Sequence, residues 1–342
     1  MYIQGIGSIS AQKLNARQGE WETVGGSTSV FHCVEPDYKE LIPPMQLRRM
    51  SKVVRIGIAA AKAALLDAGL EKIDMITTGT AYGCLADTEI FLSKLLQQDE
   101  QMLTPTAFIQ STHNTVSGQI ALLLGCHGHN FTYVHRGHSW ESALQEALLF
   151  SRENAALQIL CGGIDEMTNH SHEIIKRFGS YKKEEESIEA HSEGTVAGEG
   201  ANLFVMSAER SHQSYARVQD ICLCNTHDTV SNQLQKFLSK QNLLLDDISL
   251  VLSGDNGDIR YAPAMAALFE SVPEDKLLRY KMFCGEYPTS GSFGMAFAAS
   301  AIKHQQLPRG LNVASVVYQG GSILLHNHYK NQYHSFILLQ SI

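Results

Sequence analysis

The sequence predicts a layered α/β fold with largely parallel strands. Short apolar runs alternate with helix-period segments along all 342 residues, as in chains whose helices cover a sheet on both faces. The composition, with 44% hydrophobic and 18% charged residues and only 8 prolines, excludes fibrous, disordered and disulfide-scaffolded classes. At roughly 150 residues per domain, the length corresponds to about two domains or one duplicated unit.

Apolar runs of strand length predict the sheet, and segments with apolar residues at three- and four-residue spacing predict the clearest helices. Gly69 follows the first of these helices and suits the left-handed residue that ends many helices. The predicted helices are 51–67, 139–151 and 293–304. The predicted strands are 2–9, 76–82, 131–134, 157–161, 203–207, 216–222, 250–252, 313–318 and 335–339.

Two glycine turns that each lead into a helix suggest an internal duplication. One turn begins the segment 137–147 and the other begins 291–301, although few residues are identical between them. The polar segment 208–215 predicts the seam. We therefore expect an N-terminal half, 1–208, and a C-terminal half, 209–342, that share one core of sheet and helices.

The charge balance argues against a nucleic-acid partner. The chain has 27 basic and 35 acidic residues, a formal net charge of −8, and so no general cationic surface for a phosphate backbone or an anionic lipid. Its seven cysteines are odd in number and scattered, which favours reduced thiols. The chain start lacks a basic and then apolar leader, and no run approaches the roughly 18 apolar residues of a membrane span. The sequence therefore predicts a cytoplasmic protein.

Four segments in a characteristic order resemble a known family: 48–69, 104–120, 198–206 and 318–324. Through them the chain resembles the β-ketoacyl synthases of the thiolase fold over nearly its full length. In character it is similar to the ketosynthase-like proteins of aryl polyene and flexirubin-type pathways.

The resemblance implies two related βαβαβαββ halves that pack as a layered α/β/α/β/α sandwich and form dimers. It also implies decarboxylative Claisen condensation, in which a cysteine carries the acyl chain and two histidines help to decarboxylate a malonyl thioester on acyl carrier protein. A cysteine at a helix N-terminus suits this chemistry because the helix dipole and unpaired N–H groups stabilise its thiolate. No cofactor and no metal are expected.

The position that matches the family's nucleophilic cysteine holds a glycine. The helix residues Ala143 and Ala147 place that position at Gly137, and no cysteine lies between Cys126 and Cys161. Glycine has no side chain to acylate, and Cys161, which closes an apolar run, is better explained by buried packing.

The two family histidines also have no match. The segment 250–258 offers Ser253 at the first histidine position, and the segment 288–294 offers Gly291, or Ser290, at the second. We therefore expect all three catalytic side chains to be replaced.

Ser139 and His138 flank the vacant position, and two readings of them stay open. Ser139 is either a displaced nucleophile activated by His138 or His135, or the N-cap of the following helix. The cap is favoured, because serine is a preferred cap and no acidic third partner is evident. Glu141 and Glu146 are then expected to complement the helix dipole and the solvated face.

Histidines two residues apart raise the question of a metal. The pairs are His127 with His129 and His170 with His172. Zinc needs three or four ligands, and the chain has no CxxC or HExxH pattern, so hydrogen-bonded or surface histidines are favoured. The run 198–200 is interpreted as a turn before a strand, because no Lys-Ser/Thr pair or helix follows it as in a phosphate loop.

The leading hypothesis is a catalytically silent subunit of the chain-length-factor type, paired with an active ketosynthase that supplies the cysteine and histidines. Trp140, Phe131 and Phe293 are candidate walls of its acyl tunnel, although all three could equally be ordinary core aromatics. Homodimer and heterodimer remain open.

Carrier protein is the second expected partner. Carrier proteins are usually acidic, so docking on this acidic chain needs a local basic patch, and the densest basic group is Arg48, Arg49, Lys52 and Arg55. Because these residues also match a family motif at a helix start, they could be purely structural. Two alternatives stay open: an active 3-oxoacyl synthase or acyltransferase with a displaced nucleophile, and a non-catalytic scaffold that holds the carrier protein.

Overall fold

The computed structural model describes residues 1–15, 18–23, 30–101, 103–183, 185–225, 230–310, 313 and 315–342, and these form fourteen strands and eleven α-helices. The strands are β1 (Tyr2–Ile9), β2 (Gln12–Asn15), β3 (Glu20–Thr23), β4 (Val30–Phe31), β5 (Met75–Gly79), β6 (Asn130–Tyr133), β7 (Ile159–Asp165), β8 (Ala197–Gly198), β9 (Gly200–Ser207), β10 (Arg217–Cys224), β11 (Leu250–Ser253), β12 (Leu277–Arg279), β13 (Ile323–Tyr329) and β14 (Tyr333–Gln340). The helices are α1 (Pro44–Leu47), α2 (Lys52–Ala68), α3 (Leu85–Gln97), α4 (Pro105–Gln110), α5 (Thr115–Leu124), α6 (Ser139–Glu153), α7 (Asn169–Arg177), α8 (Val230–Lys240), α9 (Ala262–Leu268), α10 (Lys281–Cys284) and α11 (Gly291–His304).

Ten of the strands form one sheet in which the same strand order occurs twice. The order is β12-β11-β13-β14-β10-β1-β9-β7-β5-β6, so that β1-β9-β7-β5-β6 corresponds to β10-β14-β13-β11-β12. The two sets meet where Tyr2 of β1 pairs with Arg217 of β10. The division of the chain at 208 and 209 stays a prediction, but both sets of strands belong to one sheet.

The sheet is mixed, and the expectation of largely parallel strands is wrong. β5 is parallel to β6 and β7, and β11 is parallel to β12 and β13. The remaining neighbours, including β13 with β14, are antiparallel. A three-residue connection between β13 and β14 is far too short for the crossover that a parallel pair needs.

Three hydrophobic clusters give the layers of the fold. Helix α2 and the residues of α5 pack on one face of the first set of strands, and α8 and α9 pack on one face of the second set. The central cluster contains α6 and α11 together with strands of both sets. The layers are therefore helices, the first set of strands, the central helices, the second set of strands and helices again. This order confirms the predicted layered α/β architecture.

Helix α11 shows why its sequence suits the centre. Every residue from Gly291 to Ile302 is buried, which fits its run of alanine, glycine, serine and apolar residues with no charge before Lys303. Helix α2 has a one-sided apolar face, and it ends at Gly69, whose φ of 67° is the left-handed conformation expected from the sequence.

One predicted strand is wrong, and six strands were not predicted: the short strands β2, β3, β4, β8 and β12, and the longer β13. The described residues of 313–318 form no strand. The chain instead enters β13 after Gly320 and Gly321, both of which have positive φ. β13 ends in His326-Asn-His-Tyr329. Because this stretch is polar, the sequence pattern did not predict a strand here, although every residue of β13 is buried.

Candidate active site

Gly137 lies in a short 3-10 turn, Arg136–His138, between the edge strand β6 and helix α6. It is buried, and a Cβ at this position would lie 2.4 Å from Tyr329 Cβ and 2.9 Å from Tyr333 Cβ. A cysteine therefore has no space here while the β13–β14 hairpin stays in place.

Ser139 is the first residue of α6 and is fully buried. Its hydroxyl donates to the carbonyl oxygen of Arg136 at 2.8 Å and accepts from the main-chain N–H of His135 at 2.8 Å. The N-cap is His138, so the expected N-cap role of Ser139 is wrong: its hydroxyl stabilises the preceding turn. Both partners of the hydroxyl belong to the backbone, and no described side chain bonds it as a general base would.

His138 is also engaged with the backbone. Its Nε2 donates to the main-chain oxygen of His334 at 3.0 Å, and the ring of Tyr333 meets it edge to face at a centroid distance of 5.2 Å. Burial lowers the pKa of His138 to about 4. At neutral pH the imidazole is therefore uncharged and fixed.

Ser253 ends β11 in a buried position beside β13. Its hydroxyl accepts from the main-chain N–H of Asp255 at 3.2 Å, which closes the turn after the strand. The next residue, Gly254, packs so closely that a Cβ would lie 2.9 Å from Asn327 Cα. The strand end is thus closed by backbone of β13.

Gly291 begins α11 and also faces β13. A Cβ here would lie 3.0 Å from Glu141 Oε1, 3.1 Å from Asn327 Nδ2 and 3.1 Å from Trp140 Cδ1. Gly137, Ser253 and Gly291 therefore all lie around the stretch from residue 326 to 329 of β13. Sequence reasoning had not assigned this stretch to a strand.

A buried polar network fills the space between these positions. Glu141 Oε1 accepts from Asn327 Nδ2 at 2.9 Å and from Ser335 Oγ at 3.0 Å, and Asn327 Oδ1 accepts from the hydroxyl of Tyr280 at 2.8 Å. Burial raises the pKa of Glu141 to about 7. Glu141 lies in the first turn of α6, where an acid can complement the helix dipole, but its side chain is fully buried in the core.

Three further histidines stack beside this network on the hairpin. His326, His328 and His334 are buried, and His326 Nε2 lies 3.2 Å from His334 Nδ1. Burial lowers the pKa of His326 and His328 well below the usual value. Close by, Lys281 donates to both carboxylate oxygens of Glu286, at 2.9 and 3.0 Å, and to the main-chain oxygen of His328 at 2.6 Å.

Asp165, at the end of β7, links the two parts of the chain at this site. Its Oδ1 accepts from the hydroxyl of Thr80 at 3.0 Å and the N–H of Ala81 at 2.9 Å. Its Oδ2 accepts from the hydroxyl and the N–H of Thr289, at 2.9 and 3.2 Å. Burial raises the pKa of Asp165 to about 6. One carboxyl group thereby holds the loop after β5 and the start of α11.

The three candidate tunnel residues differ in burial. Trp140 and Phe293 are fully buried in the central cluster, where Trp140 packs on Phe204 at 5.6 Å and Phe293 meets Trp21 at 5.0 Å. Phe131 lies on β6 at the sheet edge with 42% of its surface exposed. The structure brings Trp140 beside Gly291 and leaves Phe131 at the surface.

Two of the four basic side chains at the start of α2 form ion pairs within the chain. Arg48 and Arg49 are exposed. Lys52 instead forms an ion pair with the fully buried Glu199, and Arg55 pairs with Glu35 at 3.6 Å. The two outer arginines are therefore the cations available to a partner.

The run 198–200 is not the expected turn: Gly198 ends β8, Gly200 begins β9, and Glu199 alone lies between the two strands. The contacts of Glu199 account for this break. Its Oε1 also accepts from the N–H of Cys33 at 2.9 Å, and its Oε2 accepts from the N–H of Met167 at 3.0 Å. Burial acts to raise the pKa of Glu199, but the hydrogen bond with His32 and the charge of Lys52 outweigh it and lower the pKa to about 2. Its role is structural.

The histidine pairs have other neighbours. His129 stacks on Phe131, with ring centroids 5.6 Å apart, and His170 Nδ1 lies 3.1 Å from Glu89 Oε2. His172 stacks on Tyr181. Within the described residues, no group of three His, Cys, Asp or Glu side chains is arranged to hold a metal ion. No described helix is long and apolar enough to cross a bilayer.

The open spaces nearest to the site do not reach the three matched positions. A cleft bordered by Asn256, Tyr261, Glu286, Tyr329 and Lys330 has a volume of about 30 Å³, and a groove of about 690 Å³ lies against α8. Neither is lined by Gly137, Ser253 or Gly291. At Gly137 itself, the contacts with Tyr329 and Tyr333 leave no space for a side chain in this conformation.

Comparison with known proteins places this geometry in a family. The family model described as beta-ketoacyl synthase, N-terminal domain, matches residues 5–212. No curated protein sequence matches significantly.

Three solved structures with thiolase-like folds are similar over the whole chain. The ishigamide ketosynthase/chain length factor has a TM-score of 0.78 and 17% identity, covering 100% of this chain and 98% of that chain. A beta-ketoacyl synthase from Burkholderia phymatum has a TM-score of 0.77 and 16% identity, covering 100% and 99%. The complex of a type II PKS acyl-carrier protein with its ketosynthase bound to the hexaketide has a TM-score of 0.74 and 15% identity, covering 100% and 99%. At these identities the likeness shows the fold, and the family model, which covers more than half of the chain, shows that the protein belongs to the beta-ketoacyl synthase family.

Proposed function

We propose that the protein is a catalytically silent, ketosynthase-like subunit of the chain-length-factor type that works with an active ketosynthase in polyketide biosynthesis of the aryl polyene type. The observation that carries the proposal is the set Gly137, Ser253 and Gly291, which lies around β13 with no cysteine or histidine at any of the three positions and with close packing at both glycines. The similarity to a ketosynthase/chain length factor supports it. A cytoplasmic location is part of the proposal, and the seven free, scattered cysteines support it.

The first test is acylation of the isolated chain. Purified protein is incubated with an acyl thioester of acyl carrier protein and its intact mass is measured, with an active ketosynthase as the positive control. We expect no adduct, because the position of the acyl-carrying cysteine holds glycine. A stoichiometric acyl adduct, localised by peptide mass spectrometry, would overturn the proposal in favour of an active enzyme with a displaced nucleophile.

The contacts of Ser139 weigh against that enzymatic alternative. Its hydroxyl proton is donated to the oxygen of Arg136, and His138 donates its own Nε2 proton to His334. A serine nucleophile needs a base that accepts its proton, and this pair of hydrogen bonds points away from such an arrangement.

The edge strand β6 is the surface we propose for the partner ketosynthase. Among the described strands, β6 has β5 as its single neighbour in the sheet, and Phe131 and Val134 are 42% and 48% exposed. Helix α4 presents two further exposed apolar residues, Phe108 and Ile109, which are 57% and 62% exposed. An unpaired strand edge with exposed apolar side chains is suited to strand addition by a partner.

The tunnel role is tested by product length. The chain is co-expressed with its partner synthase, Trp140 is replaced by smaller aromatic and aliphatic residues in folded variants, and the polyketide products are analysed. A chain-length role predicts shifted product lengths. Unchanged lengths across several substitutions would favour the alternative of a scaffold that only holds the carrier protein.

The exposed Arg48 and Arg49 allow a separate test of whether this chain itself binds the carrier protein, as the scaffold alternative requires. We propose that the active partner supplies most of the contact with the carrier protein, because Lys52 and Arg55 are engaged within the chain. An Arg49→Glu variant should then keep most of the carrier binding of the complex. Loss of carrier binding in this variant would support docking on the present chain.

A further inference from the structure

The space beside Gly137 is filled by the hairpin of β13 and β14. Tyr329 is the last residue of β13, Tyr333 is the first of β14, and the two pair across the turn. Their Cβ atoms lie 2.4 and 2.9 Å from the place where a Cβ of residue 137 would be. Both atoms are attached directly to the backbone, so no rotamer change moves them, and only a shift of the hairpin makes room.

Hydrogen bonds hold the hairpin in place. The hydroxyl of Tyr329 lies 2.8 Å from that of Tyr82. His138 donates to the main-chain oxygen of His334, and the N–H of Asn331 donates to His328 Nδ1 at 3.2 Å. A shift of the hairpin would therefore break contacts to the loop after β5, to the turn before α6 and within the hairpin itself.

The turn of the hairpin has a restricted backbone. Lys330 and Asn331 have φ values of 54° and 50°, in the left-handed region that side-chain-bearing residues seldom adopt. The N–H of Gln332 donates to the main-chain oxygen of Tyr329 at 3.2 Å, and positive φ at two successive residues is the usual geometry of a tight hairpin turn. The turn is therefore a closed, defined structure rather than a loop that opens freely.

We propose that the hairpin Tyr329–Tyr333 is a built-in plug that closes position 137 to thioesters, so that the silence of this site is steric as well as chemical. The inference rests on the proposed function, because it takes Gly137 as the vacant nucleophile position. The plug implies that a cysteine introduced at position 137 is unreactive while the hairpin stays in place.

The test introduces a thiol with and without the plug. Gly137→Cys is compared with Gly137→Cys/Tyr329→Gly/Tyr333→Gly, and both are treated with iodoacetamide under native conditions. The thiolate displaces iodide, and peptide mass spectrometry separates position 137 from the native cysteines. We expect position 137 to be alkylated at least about tenfold faster in the triple variant, because alkylation of a shielded thiol follows the population of the open state.

A matched control uses Tyr318, a buried tyrosine outside the hairpin. Gly137→Cys/Tyr318→Gly loses a comparable side chain without relieving position 137, so its alkylation should remain slow. Where the single cysteine variant does not fold, Gly137→Ala provides the second readout: it should lower Tm, and Tyr329→Gly should restore part of that loss in the double variant.

Rapid alkylation of Gly137→Cys with both tyrosines present, or an unchanged Tm of Gly137→Ala, would overturn the plug. Neither result affects the proposed silence, because an open pocket with glycine at position 137 is still unreactive. Conversely, acylation of the unmodified chain would overturn the proposed function and leave these alkylation rates unchanged.

Discussion

Glu141 Oε1 lies 2.9 Å from Asn327 Nδ2, although 186 residues separate the two in the chain. This pair occupies the space in front of Gly291, at 3.0 and 3.1 Å from a Cβ built there. A hydrogen bond between a carboxyl group and an amide therefore takes the place that a histidine side chain would need. The network is fully buried, so its protonation state is coupled to folding.

Replacing Glu141 by glutamine should change how stability depends on pH. The folded pKa of about 7 lies above the ordinary value of 4.5, so the native state holds a proton that the unfolded chain releases. The stability that Glu141 contributes is present below pH 4.5 and is lost as pH rises towards 7, by roughly 3 kcal/mol.

Glu141→Gln keeps an acceptor oxygen but does not titrate, and its denaturant-derived free energy of unfolding should lack this decline. Glu153→Gln, on the exposed end of the same helix, is the control and should follow the unmodified protein. Parallel pH profiles of Glu141→Gln and the unmodified protein would contradict the assignment of a neutral buried acid.

His138 should make the free energy of unfolding depend on pH in the opposite direction. Its folded pKa of about 4 lies below the ordinary 6.5, so its stabilising contribution is present above pH 6.5 and is lost as pH falls towards 4, by up to roughly 3 kcal/mol. The groups that face it are His135, Tyr333 and the backbone of His334.

His138→Gln keeps a donor for the oxygen of His334 and removes the titration. Unfolding by urea at pH 7, 6 and 5 should therefore show a smaller loss of stability on acidification than in the unmodified protein. His127→Gln, at an exposed position, is the matched control. Equal acid sensitivity of the His138 and His127 variants would exclude the buried neutral imidazole.

Glu199→Gln should destabilise the fold by about 3 kcal/mol, because it leaves Lys52 without its buried counter-charge. Glu35→Gln removes the carboxylate partner of Arg55 at a half-exposed site and should cost less than about 1 kcal/mol. Since the pKa of Glu199 is lowered to about 2, its stabilising contribution is lost only as pH falls from 4.5 towards 2. Similar unfolding midpoints for both variants at pH 7 would contradict a buried ion pair.

Phe131→Ser should weaken association with the partner ketosynthase while leaving the chain folded. The side chain is 42% exposed at the edge of the sheet, so its loss should change the free energy of unfolding by no more than about 0.5 kcal/mol. Analytical ultracentrifugation of the co-expressed pair measures the association. Leu244→Ser, at a 70% exposed leucine away from β6, is the control and should associate normally.

The fold was largely predictable where local pattern and burial agree. The predicted strand 2–9 coincides with β1, and the predicted helix 51–67 differs from α2 by one residue at each end. β13 escaped prediction because His326, Asn327 and His328 give its end a polar pattern, and these side chains are buried only because long-range partners satisfy them. The described part of 313–318 has an apolar pattern but no strand partner.

The site could be predicted only as a set of positions. Sequence reasoning identified Gly137, Ser253 and Gly291, and the structure arranges them around β13. What fills the site came from residues with no local signal. Glu141 has the sequence pattern of a first-turn acid, and its burial follows from Asn327 in β13 and Ser335 in β14, almost two hundred positions later.

Asp165 has a consequence for how the chain can be divided. The family match ends at residue 212, whereas the donors to Asp165 Oδ2 come from Thr289. A fragment cut at the end of the match would retain the Asp165 carboxyl group without the two hydrogen bonds from Thr289. It would also lose the buried helix α11 and the strand β10, which pairs with β1. The matched region is therefore not an autonomous folding unit, so that fragments cut at its end should be recovered unfolded while the full chain is recovered native.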